Sequence, residues 1–169
     1  MKNVIFIALV LFLTSCATIQ SENTVKRTSF EKVHHIDGYS KEVIHSMANI
    51  WVAETFRSAK AVTEYSNKED GKIIGNAIIN FPCEGFSCFA KSEWKIHFTI
   101  NIDIKDNKFR TRFLNIQLSI PASRNSSIFS PGYKGPLNDG DDFNNVKKKL
   151  LILAEGIKNK IINSSNDDW

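Results

Sequence analysis

The clearest pattern in the chain is a strict alternation of apolar and polar residues between Trp94 and Lys105. The apolar positions are Trp94, Ile96, Phe98, Ile100, Ile102 and Ile104, and the polar positions between them are Lys95, His97, Thr99, Asn101, Asp103 and Lys105. A period of two that persists for this length predicts a β-strand with one dry face and one polar face.

A second alternating segment follows the turn at 106–108 and runs from Phe109 to Ile120. In its second half the apolar residues are Leu114, Ile116, Leu118 and Ile120. In its first half Phe109, Thr111 and Phe113 have the opposite parity. The change of parity at Phe113–Leu114 predicts a β-bulge, in which one extra residue enters the strand.

Two segments have the period of amphipathic helices. Ser40 is a favourable N-cap for the first, because its side-chain oxygen can accept a hydrogen bond from a free backbone amide, and this helix is predicted to end near Ser58. Its apolar stripe is predicted at Val43, Met47, Ile50 and Trp51. The second helix can be capped by Asp141 or Asp142, and Gly156 weakens it slightly. Its apolar stripe is Phe143, Val146, Leu150, Leu153, Ala154, Ile157 and Ile161.

Shorter patterns predict three further strands. The first spans 28–36, and the next two span 60–66 and 72–81, joined by a turn in which Gly71 is expected to take a positive φ. A long loop is predicted at 122–142, and loops of this length are often functional.

The predicted order is therefore strand, helix, four strands, helix. Short turns favour hairpins and hence an antiparallel sheet. Each helix has one apolar stripe and the long strands have one apolar face, so both helices are expected on that dry face. The sequence thus predicts a two-layer α+β domain over residues 28–162, followed by a disordered tail at 163–169.

Three segments, in this order, resemble a family of bacterial exported proteins. They are Ser40-Lys41-Glu42, the residues WVAETFRSAK at 51–60, and the residues EDGKIIGN at 69–76. The family is known as a domain of unknown function (number 4468 in that series) with a TBP-like fold, and the resemblance covers residues 30–120. It implies a curved antiparallel sheet with both helices on one face, in the order β-α-β-β-β-β-α. It implies no catalytic residues, and the Cys83/Cys88 loop departs from the family as a whole.

The N-terminal segment resembles the signal of a bacterial lipoprotein. Lys2 precedes an apolar run from Val4 to Leu13, and Leu13-Thr14-Ser15-Cys16 resembles the lipobox, before whose cysteine the chain is cut. The run is shorter than the roughly 20 residues that span a bilayer, and a buried core helix is the alternative.

The resemblance to lipoproteins implies an address for the protein. We expect a signal peptide at 1–15, a lipid anchor on Cys16 and a flexible polar tether at 16–27. Ala17 after the cysteine points to the outer membrane in a Gram-negative host. The expected location is therefore the cell envelope, with the domain facing the periplasm.

Cys83 and Cys88 are the two cysteines left once Cys16 carries lipid. An exported compartment is oxidising, so two cysteines this close in sequence are candidates for a structural disulfide. A redox-active pair and half of a metal site are alternatives. Neither is favoured, because the spacing is not C-x-x-C and no second pair of ligands stands nearby.

The charge of the chain argues against nucleic acid as a partner. The formal net charge of +4 falls by one when Lys2 leaves with the signal peptide. The densest basic cluster, Lys147-Lys148-Lys149, lies in a helical pattern with apolar neighbours. A solvated helix face explains it better than a nucleic-acid site, which needs a wider basic surface with exposed aromatic residues.

The sequence has no recognisable catalytic, cofactor or metal motif. His34 and His35 would point to opposite faces of a strand, so they cannot easily bind one metal. A site formed by His97, Asp103 and one of these histidines is the metal alternative to ordinary surface residues. The acidic residues near Asp139 do not fit an EF-hand, since Leu150 occupies its twelfth position. With no nucleophile motif and no phosphate loop, we expect no enzymatic activity and no cofactor.

These observations favour a non-enzymatic, lipid-anchored binding module that contacts an envelope protein or ligand. The candidate binding face consists of Lys95, His97, Thr99, Asn101, Asn115 and Gln117, together with the 122–142 loop. The plainer alternative is that these residues only solvate the sheet. A carrier or sensor, with an apolar pocket under Phe129 and Tyr133, and a hydrolase with an unrecognised site are the other functions left open.

Overall fold

The computed structural model describes residues 28–56, 62–125, 128–137 and 139–164. The predicted signal peptide, Cys16 and the tether at 16–27 lie outside the described residues. The elements in chain order are β1 Phe30–His35, α1 Lys41–Thr55, β2 Val62–Asn67, β3 Lys72–Asn80, a 3-10 turn Gly85–Ser87, α2 Cys88–Lys91, β4 Lys95–Lys105, β5 Lys108–Ile120, β6 Ser123–Asn125, β7 Ile128–Ser130, β8 Tyr133–Gly135 and α3 Gly140–Ser164. The predicted order of strand, helix, four strands and helix is confirmed, with short elements added between them.

The main sheet is antiparallel throughout. Its strand order is β1-β5-β4-β3-β2, and β8 pairs with the end of β5. The register between β4 and β5 shifts between His97 and Thr99, and Asn115 on β5 has a φ of 54°. The predicted β-bulge is therefore confirmed, centred on Asn115. Because of it, Leu114 lies opposite Thr99 on the polar face and not on the predicted dry face.

Both long helices pack against the same face of the sheet, as predicted. The buried cluster joins three groups of side chains: Ile44, Ala48, Trp51 and Val52 from α1; Val146, Leu150, Ala154, Ile157 and Ile161 from α3; and Ile73, Ile96, Phe98, Ile100, Ile102, Ile104, Phe109, Phe113 and Ile116 from the sheet. The domain is therefore a two-layer α+β fold. Among the described residues, none of the helices combines the length and the hydropathy of a membrane-spanning segment.

The apolar stripe of α1 differs from the predicted one. Ser40 caps the helix as predicted, since its Oγ accepts from the amide of Val43. The buried stripe, however, contains Ile44, whereas Val43 and Ile50 are 40% and 41% exposed. The segment is apolar on two adjoining sides, and tertiary packing selects between them.

The first turn of α3 is capped by a residue upstream of those expected. Asp139 Oδ1 accepts from the amides of Asp141 and Asp142 at 2.8 and 2.9 Å, so Asp139 is the capping residue. The helix then continues to Ser164. Residues 163 and 164 are therefore helical and do not begin a disordered tail, while 165–169 lie outside the described residues.

The segment predicted as a loop at 122–142 is more ordered than expected. It contains the β6–β7 hairpin, the strand β8 and the start of α3. The turn before β3 follows the prediction: Gly71 has a φ of 60°, and a Cβ there would lie 2.4 Å from the carbonyl oxygen of Ile104. Glycine therefore fits where β3 passes close to the end of β4.

Candidate functional site

The face of the sheet opposite the two helices carries the predicted polar side chains. Lys95, His97 and Thr99 on β4 lie on this face with Gln117 on β5, and all four are half-buried. The structure thus brings these predicted residues together. We call the surface of β1–β5 opposite the helices the uncovered face.

A row of polar side chains crosses the uncovered face from strand to strand. Asn115 Nδ2 lies 3.4 Å from Thr99 Oγ1, which donates to Asn76 Oδ1 at 2.8 Å, and Asn76 Nδ2 donates to Glu64 Oε1. The left-handed backbone at the bulge brings Asn115 to this row. These hydrogen bonds fix the orientation of the side chains on β2, β3, β4 and β5.

A network of charged residues lies beside this row and was not predicted. Asp103 Oδ2 is 2.9 Å from Arg112 Nη2 and 3.0 Å from Arg110 Nη2, and Asp103 Oδ1 is 3.8 Å from Lys72 Nζ. Arg110 also approaches Glu31 on β1, at 3.7 Å. The register of the β4–β5 hairpin puts Asp103 opposite Arg110, because the turn is the two residues 106–107 and not the predicted 106–108. Counting outward from a turn of 106–108 would have put Thr111 opposite Asp103, so the pair was missed.

Asn101 does not belong to an exposed binding surface, although it was predicted to. It is only 9% exposed, between Ile74 on β3 and Arg112 on β5. Within the described residues, the buried Asn101 Oδ1 and Arg112 Nε have no hydrogen-bond partner. Asn101 is enclosed because the long side chain of Arg112 is drawn across the strand toward Asp103.

His97 and Gln117 face each other across β4 and β5 at the other end of the uncovered face. Burial, with a smaller contribution from the nearby charge of Lys134, lowers the pKa of His97. The imidazole is therefore neutral at pH 7 and can either donate or accept a hydrogen bond.

The uncovered face carries more cations than anions. The cationic side chains are Lys72, Lys95, Lys105, Lys108, Arg110 and Arg112, with Lys134 of β8 beside them, and the anionic ones are Glu31, Glu64 and Asp103. The cations thus outnumber the anions, but the anions lie among them in ion pairs, so this surface suits a polar partner that contributes carboxylate groups more than a highly charged polyanion.

The cysteine loop has the predicted bond, since the sulfurs of Cys83 and Cys88 form a disulfide. The loop that they close contains the 3-10 turn and the start of α2. A cavity of about 610 Å³ lies between this loop and α3, lined in part by Cys83, Lys148 and Ile152. Phe129 and Tyr133, expected to cover a carrier pocket, do not line it.

A histidine, a serine and an asparagine meet at the edge formed by β2 and α1. Ser66 Oγ lies 3.3 Å from Nε2 of the buried His45 and 3.0 Å from Asn49 Oδ1. Asn49 Nδ2 is within 3.5 Å of both ring nitrogens of His45, so it lies over the ring and does not orient it in its plane as a catalytic triad requires. This cluster ties the edge strand to α1.

The described residues contain no group of three or more side chains suited to bind a metal ion. His34 and His35 point to opposite faces of β1, as predicted, since His34 is buried and His35 is exposed. His34 stacks on Phe109 with ring centroids 4.6 Å apart, and burial lowers its pKa. It is a core residue and not part of a surface site.

The family model described as a "domain of unknown function (DUF4468) with TBP-like fold" matches residues 30–119, which is more than half of the chain. The chain belongs to the DUF4468 family. The match runs from β1 almost to the end of β5, so the DUF4468 domain contains the uncovered face, and Lys134 of β8 lies outside the match. The resemblance drawn from the sequence is confirmed.

Two crystal structures show the same fold at low sequence identity. A TBP-like protein from Parabacteroides distasonis aligns with a TM-score of 0.60 and 14% identity, covering 80% of this chain and 92% of that one. A DUF4468 family protein from Bacteroides ovatus aligns with a TM-score of 0.53 and 14% identity, covering 82% and 86%. The chain has no match among curated proteins. The DUF4468 assignment therefore establishes the fold and leaves the activity to be inferred from the surface.

Proposed function

We propose that this chain is a non-enzymatic binding module of the cell envelope, and that it binds its partner through the uncovered face. The observation that supports this most directly is the position of α1 and α3, which both pack on the opposite face, so that no helix of the described part of the chain covers this one. The half-buried polar side chains of the uncovered face do not take part in the packing of the core.

The two polar networks favour binding because they hold their side chains in place before any partner arrives. Thr99 is fixed between Asn76 and Asn115, and Asp103 is fixed between two arginines. Immobilising a long side chain on association commonly costs about 0.5–1.5 kcal/mol. Side chains that are already ordered before association avoid much of this cost. We expect a polar partner whose carboxylates meet the cationic surplus of this face.

The sequence supports a tether for this module. The lipobox-like Leu13-Thr14-Ser15-Cys16 and the polar segment 17–27 favour a lipid-anchored protein of the outer membrane that faces the periplasm. Metabolic labelling with a palmitate analogue tests this part: the wild-type chain is expected to incorporate label and Cys16→Ser to lose it. Equal labelling of both chains would exclude acylation at this cysteine.

Crosslinking in the native envelope followed by mass spectrometry tests the binding face. The face variant carries His97→Ala, Thr99→Ala and Gln117→Ala, and the control variant carries Ser46→Ala, Asn144→Ala and Asn159→Ala on exposed helix positions. The crosslinked species of the wild-type chain should disappear in the face variant and persist in the control. An unchanged set of species in the face variant would contradict the proposal.

A further inference from the structure

The disulfide loop carries two exposed phenylalanines side by side. Phe86 is 89% exposed and Phe89 is 79% exposed, and their ring centroids are 5.3 Å apart. Their spacing of three residues within one helical turn puts both rings on one side of the loop. A cluster of exposed apolar side chains marks a surface that contacts another molecule or a membrane.

The loop holds these two rings on a fixed base. The disulfide closes it between Cys83 and Cys88. Lys91, at the end of α2, bonds Asp142 of α3 at 2.7 Å and lies 4.9 Å from the centre of the Phe81 ring. Both sides of the loop are therefore attached to the body of the domain, so Phe86 and Phe89 project from a constrained turn.

A third exposed phenylalanine lies in a segment that leaves the sheet at the same end as the disulfide loop. Asn80 at the end of β3 pairs with Lys95, and Lys95 pairs with Ser119 near the end of β5, so these three ends are neighbours. The disulfide loop and the β6–β7 hairpin both follow strands at this end of the sheet. Phe129, in β7, is 65% exposed. All exposed phenylalanines among the described residues thus lie in the two segments that leave the sheet at this end.

The tether reaches the domain at this same end. β1 is antiparallel to β5, so the chain before Phe30 lies beside the second half of β5, and the carbonyl of Thr28 accepts from the amide of Ile116. The Phe30 ring lies 6.4 Å from the Phe143 ring, next in sequence to the Asp142 that bonds Lys91. Eleven residues separate Cys16 from Thr28 and can span at most about 40 Å, so a lipid on Cys16 would hold Thr28 within about that distance of the bilayer.

We infer that this end of the domain docks directly on the lipid bilayer, with Phe86 and Phe89 inserted at the level of the headgroups. Lys148 and Lys149, exposed on α3 beside the loop, would lie toward the lipid phosphates. Only the orientation rests on the proposed lipid at Cys16. The uncovered face is a lateral surface relative to this end, and it stays accessible to a partner.

Vesicle flotation tests this inference without the lipid anchor. The chain used spans residues 16–169 with Cys16→Ser, which includes every described element, and the probe is a vesicle of phosphatidylcholine mixed with phosphatidylglycerol. Phe86→Ser/Phe89→Ser is expected to weaken binding by at least about tenfold, since two large apolar side chains no longer enter the interface. The matched control is Val43→Ser/Ile50→Ser, two exposed apolar residues on α1, which should leave binding unchanged.

Lys148→Gln/Lys149→Gln should weaken binding less, and only to vesicles that contain phosphatidylglycerol. Absence of vesicle binding, or binding that Phe86→Ser/Phe89→Ser leaves unchanged, would overturn the inference. So would self-association that this double variant abolishes in the absence of vesicles, because a second copy would then cover the phenylalanines. None of these results bears on the uncovered face, whose test is crosslinking to a partner.

Discussion

The indole of Trp51 on α1 lies directly against the backbone of Gly156 on α3. A Cβ atom built on Gly156 would come within 2.7 Å of Trp51 Nε1, closer than packed atoms approach each other. Trp51 is itself held by Phe56, whose ring centroid is 5.5 Å away in an edge-on arrangement. Glycine at 156 therefore lets the two helices pack together, although it weakens α3 as an isolated helix.

Gly156→Ala should consequently destabilise the domain. Helix propensity alone favours alanine by about 1 kcal/mol, but overpacking against a buried indole typically costs about 1–3 kcal/mol. We expect a net loss in the free energy of unfolding, measured by denaturant titration. Trp51→Phe/Gly156→Ala should recover part of it, because phenylalanine lacks the atom that clashes. A stabilised single variant would show that the helices separate without cost.

Asp103→Asn should lower the free energy of unfolding of the domain by about 1 kcal/mol, because Asp103 and its two arginine partners are only partly exposed and form a network. The substitution removes the charge that Arg110 and Arg112 share at 3.0 and 2.9 Å. Glu31→Gln is the matched control, because Glu31 is more exposed and its contact to Arg110 is 3.7 Å. Chemical denaturation should show a loss for Asp103→Asn and almost none for Glu31→Gln. Equal effects would mean that the network contributes nothing specific.

Cys83→Ser/Cys88→Ser should lower the free energy of unfolding by about 2 kcal/mol, since the disulfide closes a short loop. Mass spectrometry of the non-reduced protein should first show the wild-type chain two hydrogens lighter than its reduced form at this pair. Reducing agent should then lower the stability of the wild-type protein toward that of the double variant. Two free thiols in protein isolated from the envelope would contradict the disulfide.

Stability should fall as the pH is lowered below about 6.5, the ordinary value for histidine. Burial lowers the pKa of both His34 and His45, while in the unfolded chain each titrates near 6.5. Below 6.5 the unfolded state therefore binds more protons than the folded state, which favours unfolding. The stabilising contribution is complete above 6.5 and is lost as the pH falls toward the lowered values.

Thermal unfolding measured across this pH range checks the expectation. His34→Gln/His45→Gln should reduce the slope of stability against pH, whereas His35→Gln, on the exposed side of β1, should preserve it. A slope that is unchanged in the double variant would assign the acid sensitivity to other groups.

The pattern of apolar residues predicted the sheet well, because a strand in which apolar and polar residues alternate has only one apolar face. Ile96, Phe98 and Ile100 had a single possible orientation, and the parity change at Phe113 revealed the bulge. In α1 the apolar residues cover two adjoining sides, so spacing alone could not choose between Val43 and Ile44. Packing of α1 on the sheet and on α3 decides it, since Ile44 is buried in the core cluster and Val43 is exposed.

The sequence predicted which strands form the uncovered face, but it did not predict the contacts between the side chains on it. Thr99 and Gln117 lie where alternation put them, whereas Asn101 is enclosed because Arg112 reaches across to Asp103. Such an enclosure depends on the conformation of a long side chain from another strand, which alternation does not report. The row from Glu64 to Asn115 likewise requires the register of four strands.

Photo-crosslinking from a single position tests the central claim most directly. A photo-reactive amino acid placed at Thr99, in the middle of the uncovered face, should form a specific crosslink in the native envelope, and one placed at Ser46 on the exposed side of α1 should not. The crosslink from position 99 should weaken when Arg110 and Arg112 are both replaced by glutamine. Crosslinks of equal yield from both positions, or none from position 99, would contradict binding through this face.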